Sequence, residues 1–188
     1  MAGDIMNALV TNAALAVMIG WVAFALAGLT LTPPLAAALG AVLGLGAVLL
    51  FHGSLALGAL IALLAPFGVL LPALALRHTA AALGLPVQPF STTELLVLLI
   101  LYTAFLAAAT GAIPVDLYRW GYAPIPVALM VLALCCYGAL TSSLFVPLVA
   151  VLGQAVWALG WSSSNWFDEV SHAMLVPILV IVLITRAL

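Results

Sequence analysis

Lysine is absent from this sequence, and charge of either sign is scarce. The 188 residues include three arginines and five acidic residues, so 4% of the chain is charged, against roughly 25% in a soluble domain. Without a lysine amine the chain cannot form a Schiff base with retinal or pyridoxal phosphate, and it lacks the lysine of a P-loop. Three arginines make no basic patch for nucleic acid. These classes of function are excluded.

Cysteine is scarce, and the histidines form no known motif. Cys135 and Cys136 are adjacent, so on a helix their side chains point in different directions and form neither a disulfide framework nor a metal knuckle. We interpret them as small buried hydrophobes. His52, His78 and His172 are widely spaced, without an H-E-x-x-H motif. The sequence therefore predicts no catalytic residue and favours a non-catalytic protein over an enzyme.

Apolar residues are what the chain has in excess. They make up 68% of it, and the mean hydropathy is +1.44. The first apolar run continues to about Leu31 with no preceding Lys or Arg, which is too long for the apolar core of a signal peptide. We therefore expect this segment to stay in the mature protein. The composition predicts an integral membrane protein without a soluble domain.

Long uncharged runs divide the chain into membrane-spanning segments. A hydrocarbon core of about 30 Å requires roughly 20 apolar helical residues, so each long run predicts one span. The sequence thus predicts a single integral membrane domain over residues 1–188, an all-α, polytopic transmembrane helical bundle of about seven spans. The predicted spans are approximately 8–29, 34–50, 54–74, 94–112, 125–140, 145–160 and 169–185. The break at 141–143 is the weakest, and a different partition there leaves six spans.

Local signals mark where two helices begin. Ser91 and Glu94 have the spacing of a capping box, in which each residue satisfies a backbone N–H near the other. Asn165 is a predicted cap for the last helix. Asp168 and Glu169 then fall in its first turn, where the helix dipole favours negative charge.

Small residues and prolines predict how helices pack and bend. Ala36, Gly40 and Gly44 recur at every fourth position, which gives one face of the second span a close approach to another helix. Proline inside a helix removes a hydrogen bond, so a kink is expected at each proline within a span. These prolines are Pro66, Pro72 and Pro177.

Charge asymmetry predicts the orientation. Seven spans place the N-terminus, the turn at His52 and the loops at 116–119 and 168–169 on one face of the membrane. Two of the three arginines, Arg77 and Arg186, fall on the other face, which the positive-inside rule assigns to the cytoplasm. We expect a multi-pass protein of the cell inner (cytoplasmic) membrane with its N-terminus outside and its C-terminus in the cytoplasm.

Titratable groups converge at one place in the predicted bundle. His172 lies four residues after Asp168 and three after Glu169, so a carboxylate on the same helical face could orient its imidazole. His52 is predicted at the same depth, and the two histidines could ligate a haem, a chlorophyll-type pigment or a divalent metal. The sequence favours the simpler interpretation, in which Asp168 pairs with His172 and no cofactor is bound.

Two sets of residues are predicted to contact a partner protein or lipid. Asp116 and Arg119 form a predicted interfacial ion pair, and the neighbouring Trp120 favours headgroup depth. Gly40 and Gly44 offer the close-packing face of the second span. The expected partners are the lipid bilayer and other membrane protein subunits.

Three functions are compatible with this sequence. The favoured one is a non-catalytic accessory or assembly subunit of a larger membrane protein complex, because it requires the fewest functional residues. The second is a small transporter or substrate-binding membrane component for an uncharged or hydrophobic solute, because no charge clearly sits at the predicted bilayer centre. The third is a haem, pigment or metal-binding membrane protein that uses His52, His172 and Asp168.

Overall fold

The computed structural model describes residues 2–65, 68–87, 90–161 and 163–187. Within these ranges the regular elements are α-helices and one short 3₁₀ helix, with no strand. In chain order they are α1 (Ala2–Ala27), α2 (Pro33–Leu50), α3 (Leu55–Leu64), α4 (Leu70–Ala82), α5 (Thr92–Ala109), the 3₁₀ helix (Tyr118–Tyr122), α6 (Pro124–Thr141), α7 (Phe145–Ala158), α8 (Trp166–Val170) and α9 (Leu175–Ala187).

Four helices are long and apolar enough to cross a membrane by themselves. They are α1 over Ile5–Ala27, α2, α5 and α6. Within the described residues, an all-helical fold with four helices that could span a membrane is therefore confirmed. A bundle of seven continuous spans is not, because α3, α4, α7 and α9 have only 10, 13, 14 and 13 residues. At about 1.5 Å per residue, none of these four extends across about 30 Å of hydrocarbon.

The predicted third span, 54–74, is two helices. α3 ends at Leu64, Ala65 is extended (φ −80°, ψ 149°), and α4 begins at Leu70. Ala65 precedes a proline, and the ring of a proline disfavours the α conformation of the residue before it. Gly68 has a φ of +59°, which glycine adopts without steric cost. Pro66, where we predict a kink, lies outside the described residues.

The predicted seventh span, 169–185, is also interrupted. α8 ends at Val170 and α9 begins at Leu175, with a non-helical segment over residues 171–174. Pro177 is the third residue of α9 and Pro72 the third residue of α4. Proline is tolerated in a first turn because the N–H it lacks would have no partner there. Both prolines therefore stand in the first turn of a helix, and the predicted kinks are replaced by complete breaks.

The capping box at the start of α5 is confirmed. The Glu94 N–H donates to Ser91 Oγ at 3.1 Å, and the Ser91 N–H donates to Glu94 Oε2 at 2.7 Å. Two backbone donors that have no partner within the helix are thereby satisfied. The interactions are local, which is why the sequence pattern predicts them.

Helices α1 and α2 form the closest helix pair. The small face of α2 is buried against α1, as its sequence spacing predicts. A Cβ atom on Gly44 would lie 2.9 Å from the Cα of Gly20, and one on Gly40 would lie 3.1 Å from the Cβ of Phe24. Real Cβ atoms essentially never show the first separation, and the second is tighter than nine in ten real Cβ contacts. The structure thus places Gly40 and Gly44 against this chain's own α1, whereas the sequence assigns them to contact with a partner or lipid.

Buried apolar side chains of the described residues form three separate clusters. One joins α1, α2 and α3, the second joins α4, α5 and α9, and the third joins α6, α7 and α8. Central members are Leu15 and Leu57 in the first cluster, Leu71 and Leu175 in the second, and Val127 and Trp166 in the third. The bundle is therefore assembled from three small cores.

Valine at Gly44 should destabilise the protein, whereas valine at Gly46 should not. A Cβ on Gly46 meets nothing within 4 Å, so this neighbouring position on the same helix controls for the change in helix propensity. Overpacking costs about 1–3 kcal/mol, and each kcal/mol lowers Tm by about 2–4 °C in a chain of this size. Circular dichroism melts in detergent measure both variants. Equal losses in Gly44→Val and Gly46→Val would contradict the packing described here.

Candidate functional site

A cluster of polar side chains lies where the 3₁₀ helix meets α8. We call it the loop cluster and define it as Tyr118, Ser163, Asn165, Asp168 and Glu169. Among the described residues, Asn165 (0% exposed) and Glu169 (3%) are the only fully buried polar or charged side chains. A buried polar group is costly unless it is hydrogen-bonded, so the partners of these side chains decide what the cluster does.

Asn165 ties the two loops together. Its Oδ1 accepts the Phe167 N–H at 2.9 Å, which confirms the predicted cap, although the helix it caps is the short α8. Its Nδ2 donates to the carbonyl oxygen of Tyr118, also at 2.9 Å. A Cβ on Gly121 would collide with the Asn165 side chain, so glycine is required at that position. The sequence predicts the cap but not the second contact.

Both acids of α8 accept hydrogen bonds from this cluster. Asp168 Oδ2 accepts from the Tyr118 hydroxyl at 2.7 Å and from the Ser163 hydroxyl at 2.8 Å. Glu169 Oε1 accepts from the Ser163 N–H, and the Glu169 carbonyl oxygen accepts from the Val69 N–H at 2.7 Å. The acids do lie in the first turn of α8, as predicted. Their side chains also hold the loops in place.

Tyr118 is a hydrogen-bond donor in this cluster. Burial raises the pKa of its phenol, and the hydrogen bond to Asp168 and the charge of that carboxylate raise it further. The neutral phenol therefore persists and donates to the carboxylate. Sequence reasoning missed this contact because Tyr118 and Asp168 are 50 residues apart, and no local pattern connects them.

His172 connects two helix ends. Its Nδ1 accepts the Met174 N–H at 3.0 Å, and its Nε2 lies 2.9 Å from the carbonyl oxygen of Leu64. Because Nδ1 accepts, the proton is assigned to Nε2, which donates to Leu64. Both ring nitrogens thus bind backbone groups next to a helix break, where the helices themselves leave such groups without partners.

The predicted pairing of Asp168 with His172 is not formed. It requires one continuous helix through both residues, and the helix ends at Val170. Asp168 binds Tyr118 and Ser163, and His172 binds the backbone on either side of the two breaks. A metal or haem iron would have to displace one of the hydrogen bonds that His172 makes.

His52 and His172 lie at opposite ends of α3. His52 is exposed in the turn before this helix, whereas His172 contacts Leu64, its last residue. The 10 residues of α3 separate these ends by about 15 Å. The two imidazoles are therefore not brought together as axial ligands. Within the described part of the chain, no three His, Cys, Asp or Glu residues come together in a group that could hold a metal ion.

The loop before the 3₁₀ helix differs in detail from its prediction. Asp116 Oδ1 accepts the backbone N–H of Arg119 at 3.1 Å, which is a turn-capping bond. Between the described side chains of these two residues there is no ion pair within 4.0 Å. Arg119 and Trp120 are exposed, so both remain accessible to lipid or to a partner.

Comparison with known proteins gives no family for this chain. No protein-family model matches it, and neither curated proteins nor solved structures give a significant match. Its function must therefore be argued from its own geometry.

Replacing His172 by alanine should destabilise the protein. The change removes two hydrogen bonds to backbone groups, each contributing about 0.5–1.5 kcal/mol, so we expect Tm to fall by about 2–12 °C. His52→Ala, at an exposed turn, is the matched control and should melt like wild type. His172→Gln retains a donor and should recover part of the loss. Equal melting of His172→Ala and wild type would refute the bridging role.

The contribution of Tyr118 to the stability of the wild type should be lost at alkaline pH. The pKa of Tyr118 is raised in the folded state, so its contribution is present below about pH 10 and is lost as pH rises above that value. We expect Tyr118→Phe to be less stable at pH 8, and the gap to narrow towards pH 11. Urea unfolding at several pH values measures the difference. A gap that stays constant would show that the phenol is not linked to folding.

Proposed function

We propose that this protein is a non-catalytic accessory or assembly subunit of a larger membrane protein complex. The observation that carries the proposal is its large exposed surface. The chain exposes 11013 Å², whereas a compact monomer of 19.3 kDa exposes about 8,500 Å². The excess is comparable to the area that permanent interfaces bury, about 2,000–5,000 Å² in total.

Lipid does not account well for all of this surface. Lipid tails cover a smooth apolar exterior, but this chain has three small cores with cavities between them. Non-helical backbone at membrane depth is tolerated only where protein covers it or where it lines a cavity. The segment 171–174 lies directly before α9, which is about 20 Å long, so in the proposed topology the segment lies at membrane depth. Ala173 and Met174 in this segment are exposed. We propose that a partner helix covers this break.

The proposed subunit passes through the membrane seven times, with broken third and seventh passes and with the 14-residue α7 as a short sixth pass. α3 and α4 together form the third pass, and α8 with α9 forms the last. Arg77 and Arg186 then share one face, which supports an outside N-terminus and a cytoplasmic C-terminus in a bacterial inner membrane. The loop cluster lies near the opposite face and joins the α5–α6 connection to the α7–α8 connection.

The breaks also support a second candidate, a solute-binding component of a transporter. The two breaks touch each other, since the Val69 N–H donates to the Glu169 carbonyl oxygen, and Gly68 packs on the backbone of Val170. Transporters place substrate sites at such interrupted helices. Beside the breaks is a cavity of about 550 Å³, whose lining includes Leu64, His172 and Met174. Its lining is almost wholly apolar, which suits an uncharged or hydrophobic solute.

Purification from the native membrane tests the accessory-subunit proposal. A fusion with green fluorescent protein at the C-terminus is extracted in mild detergent, sized by fluorescence-detected chromatography and analysed by mass spectrometry. We expect one or more membrane proteins in constant ratio to this chain. Fluorescence in intact cells would also show that the C-terminus is cytoplasmic, because the fused domain folds poorly when exported.

Two tryptophan substitutions locate the proposed interface. Ala173→Trp adds bulk at the exposed break and should release the partner, whereas Ala133→Trp adds the same bulk to the exposed face of α6 and should leave the complex intact. A solitary chain in native extracts would overturn the proposal. If that solitary chain were stabilised by an apolar solute, and if Met174→Trp abolished the effect, the transporter component would be favoured.

A further inference from the structure

A second cavity, on the face opposite the loop cluster, has a different chemical character. It is a half-open cavity of about 270 Å³ between α1, α4, α9 and the start of α5. Its walls are apolar and include Leu71, Ala75, Leu95, Leu179 and Val182. Three basic side chains also line it, namely Arg77, His78 and Arg186. An apolar chamber with cationic groups is suited to a ligand that is apolar at one end and anionic at the other.

Phe90 holds both arginines in place. Arg186 Nη1 donates to the Phe90 carbonyl oxygen at 2.8 Å. The guanidinium carbon of Arg77 lies 3.9 Å from the centre of the Phe90 ring and 4.8 Å from that of Phe145. A stacked or hydrogen-bonded guanidinium loses less entropy on binding a ligand, because its position is already fixed. The remaining N–H groups of each arginine can still donate.

His78 adds a third donor. The Trp21 Nε1–H donates to His78 Nδ1 at 3.1 Å. In the neutral imidazole the proton is then on Nε2, which is free of this bond and able to donate. Trp21 also lines the cavity and orients the histidine towards it.

Among the described residues, Arg77 and Arg186 have no close counterion. In the described ranges, no carboxylate oxygen lies within 4.0 Å of the Arg77 or Arg186 guanidinium. Glu94 acts on Arg77 through its charge, but its carboxylate accepts hydrogen bonds from Ser91 at 2.7 Å and from the Tyr137 hydroxyl at 3.0 Å. An external anion therefore has two guanidinium groups to bind and little competition for them.

We propose that this cavity binds an acidic lipid, with one acyl chain inside it and the oxyanion of the head group on Arg77 and Arg186. Guanidinium groups bind phosphate and carboxylate through paired, charge-assisted hydrogen bonds. The volume is just below the roughly 300–1,000 Å³ of common ligand sites, which fits one chain better than a whole two-chain lipid. A membrane phospholipid and a free fatty acid share this chemistry. The inference does not depend on the accessory-subunit proposal.

Native mass spectrometry of the detergent-purified full chain tests the site. Wild type is titrated separately with phosphatidylglycerol, with oleate and with the zwitterionic phosphatidylcholine. We expect one tight site for phosphatidylglycerol, for oleate or for both, and binding of phosphatidylcholine that is weaker by about tenfold or more, since one charge-assisted contact is of that size. Tight phosphatidylglycerol alone identifies a bilayer lipid as the ligand, and tight oleate alone identifies a fatty acid.

Matched variants assign the binding to this cavity. The double substitution Arg77→Gln and Arg186→Gln should weaken anionic binding by at least about tenfold, with unchanged helix content and elution. Ala81→Trp fills the cavity, keeps both arginines and should weaken binding as well. Arg119→Gln removes the third arginine, near the opposite face, and should leave affinity unchanged. Wild-type affinity in both cavity variants, or a loss confined to Arg119→Gln, would overturn the proposal.

Discussion

The structure depends on satisfying backbone polar groups where helices are interrupted. An apolar environment offers no water to an unpaired carbonyl or N–H, so every break needs partners from the protein. This chain places its two breaks against each other. Val69 on one side donates to Glu169 on the other, and the imidazole of His172 binds Leu64 and Met174. The His172 side chain thereby satisfies backbone groups at two helix ends.

This arrangement also explains which hydrogen bonds the two acidic residues of the loop cluster make. Asp168 and Glu169 accept hydrogen bonds from Tyr118 and Ser163, which hold the 3₁₀ helix and α8 in contact. Their position is set by the break between α8 and α9, since an unbroken helix would carry Asp168 and His172 on one face. Asp168, Glu169 and His172 thus make hydrogen bonds that stabilise the fold. Among the described residues, no three His, Cys, Asp or Glu side chains come together in a group that could hold a metal.

Sequence reasoning succeeded where partners are close in the chain. The Ser91 capping box and the Asn165 cap involve residues two or three positions apart. Sequence reasoning also predicts the small face of α2, but not that this chain's own α1 is the helix it packs against. It failed where the partner is distant. The His172 contact with Leu64 spans 108 residues, and hydropathy does not show that an apolar run such as 54–74 is interrupted. The proline after Ala65 was the available signal, and it indicates a break as readily as a kink.

The two ends of the bundle therefore differ in whether their charged groups can bind a ligand. At the loop cluster, acids and donors satisfy one another, and Asn165 and Glu169 are buried. At the opposite end Glu94 is held by Ser91 and Tyr137, so it does not neutralise Arg77 and Arg186 at short range. The arginines are instead fixed by the ring and carbonyl of Phe90, neither of which carries a compensating full charge. A site for an anion follows from this imbalance, because the apolar cavity below the arginines strengthens any charge–charge contact made at its edge.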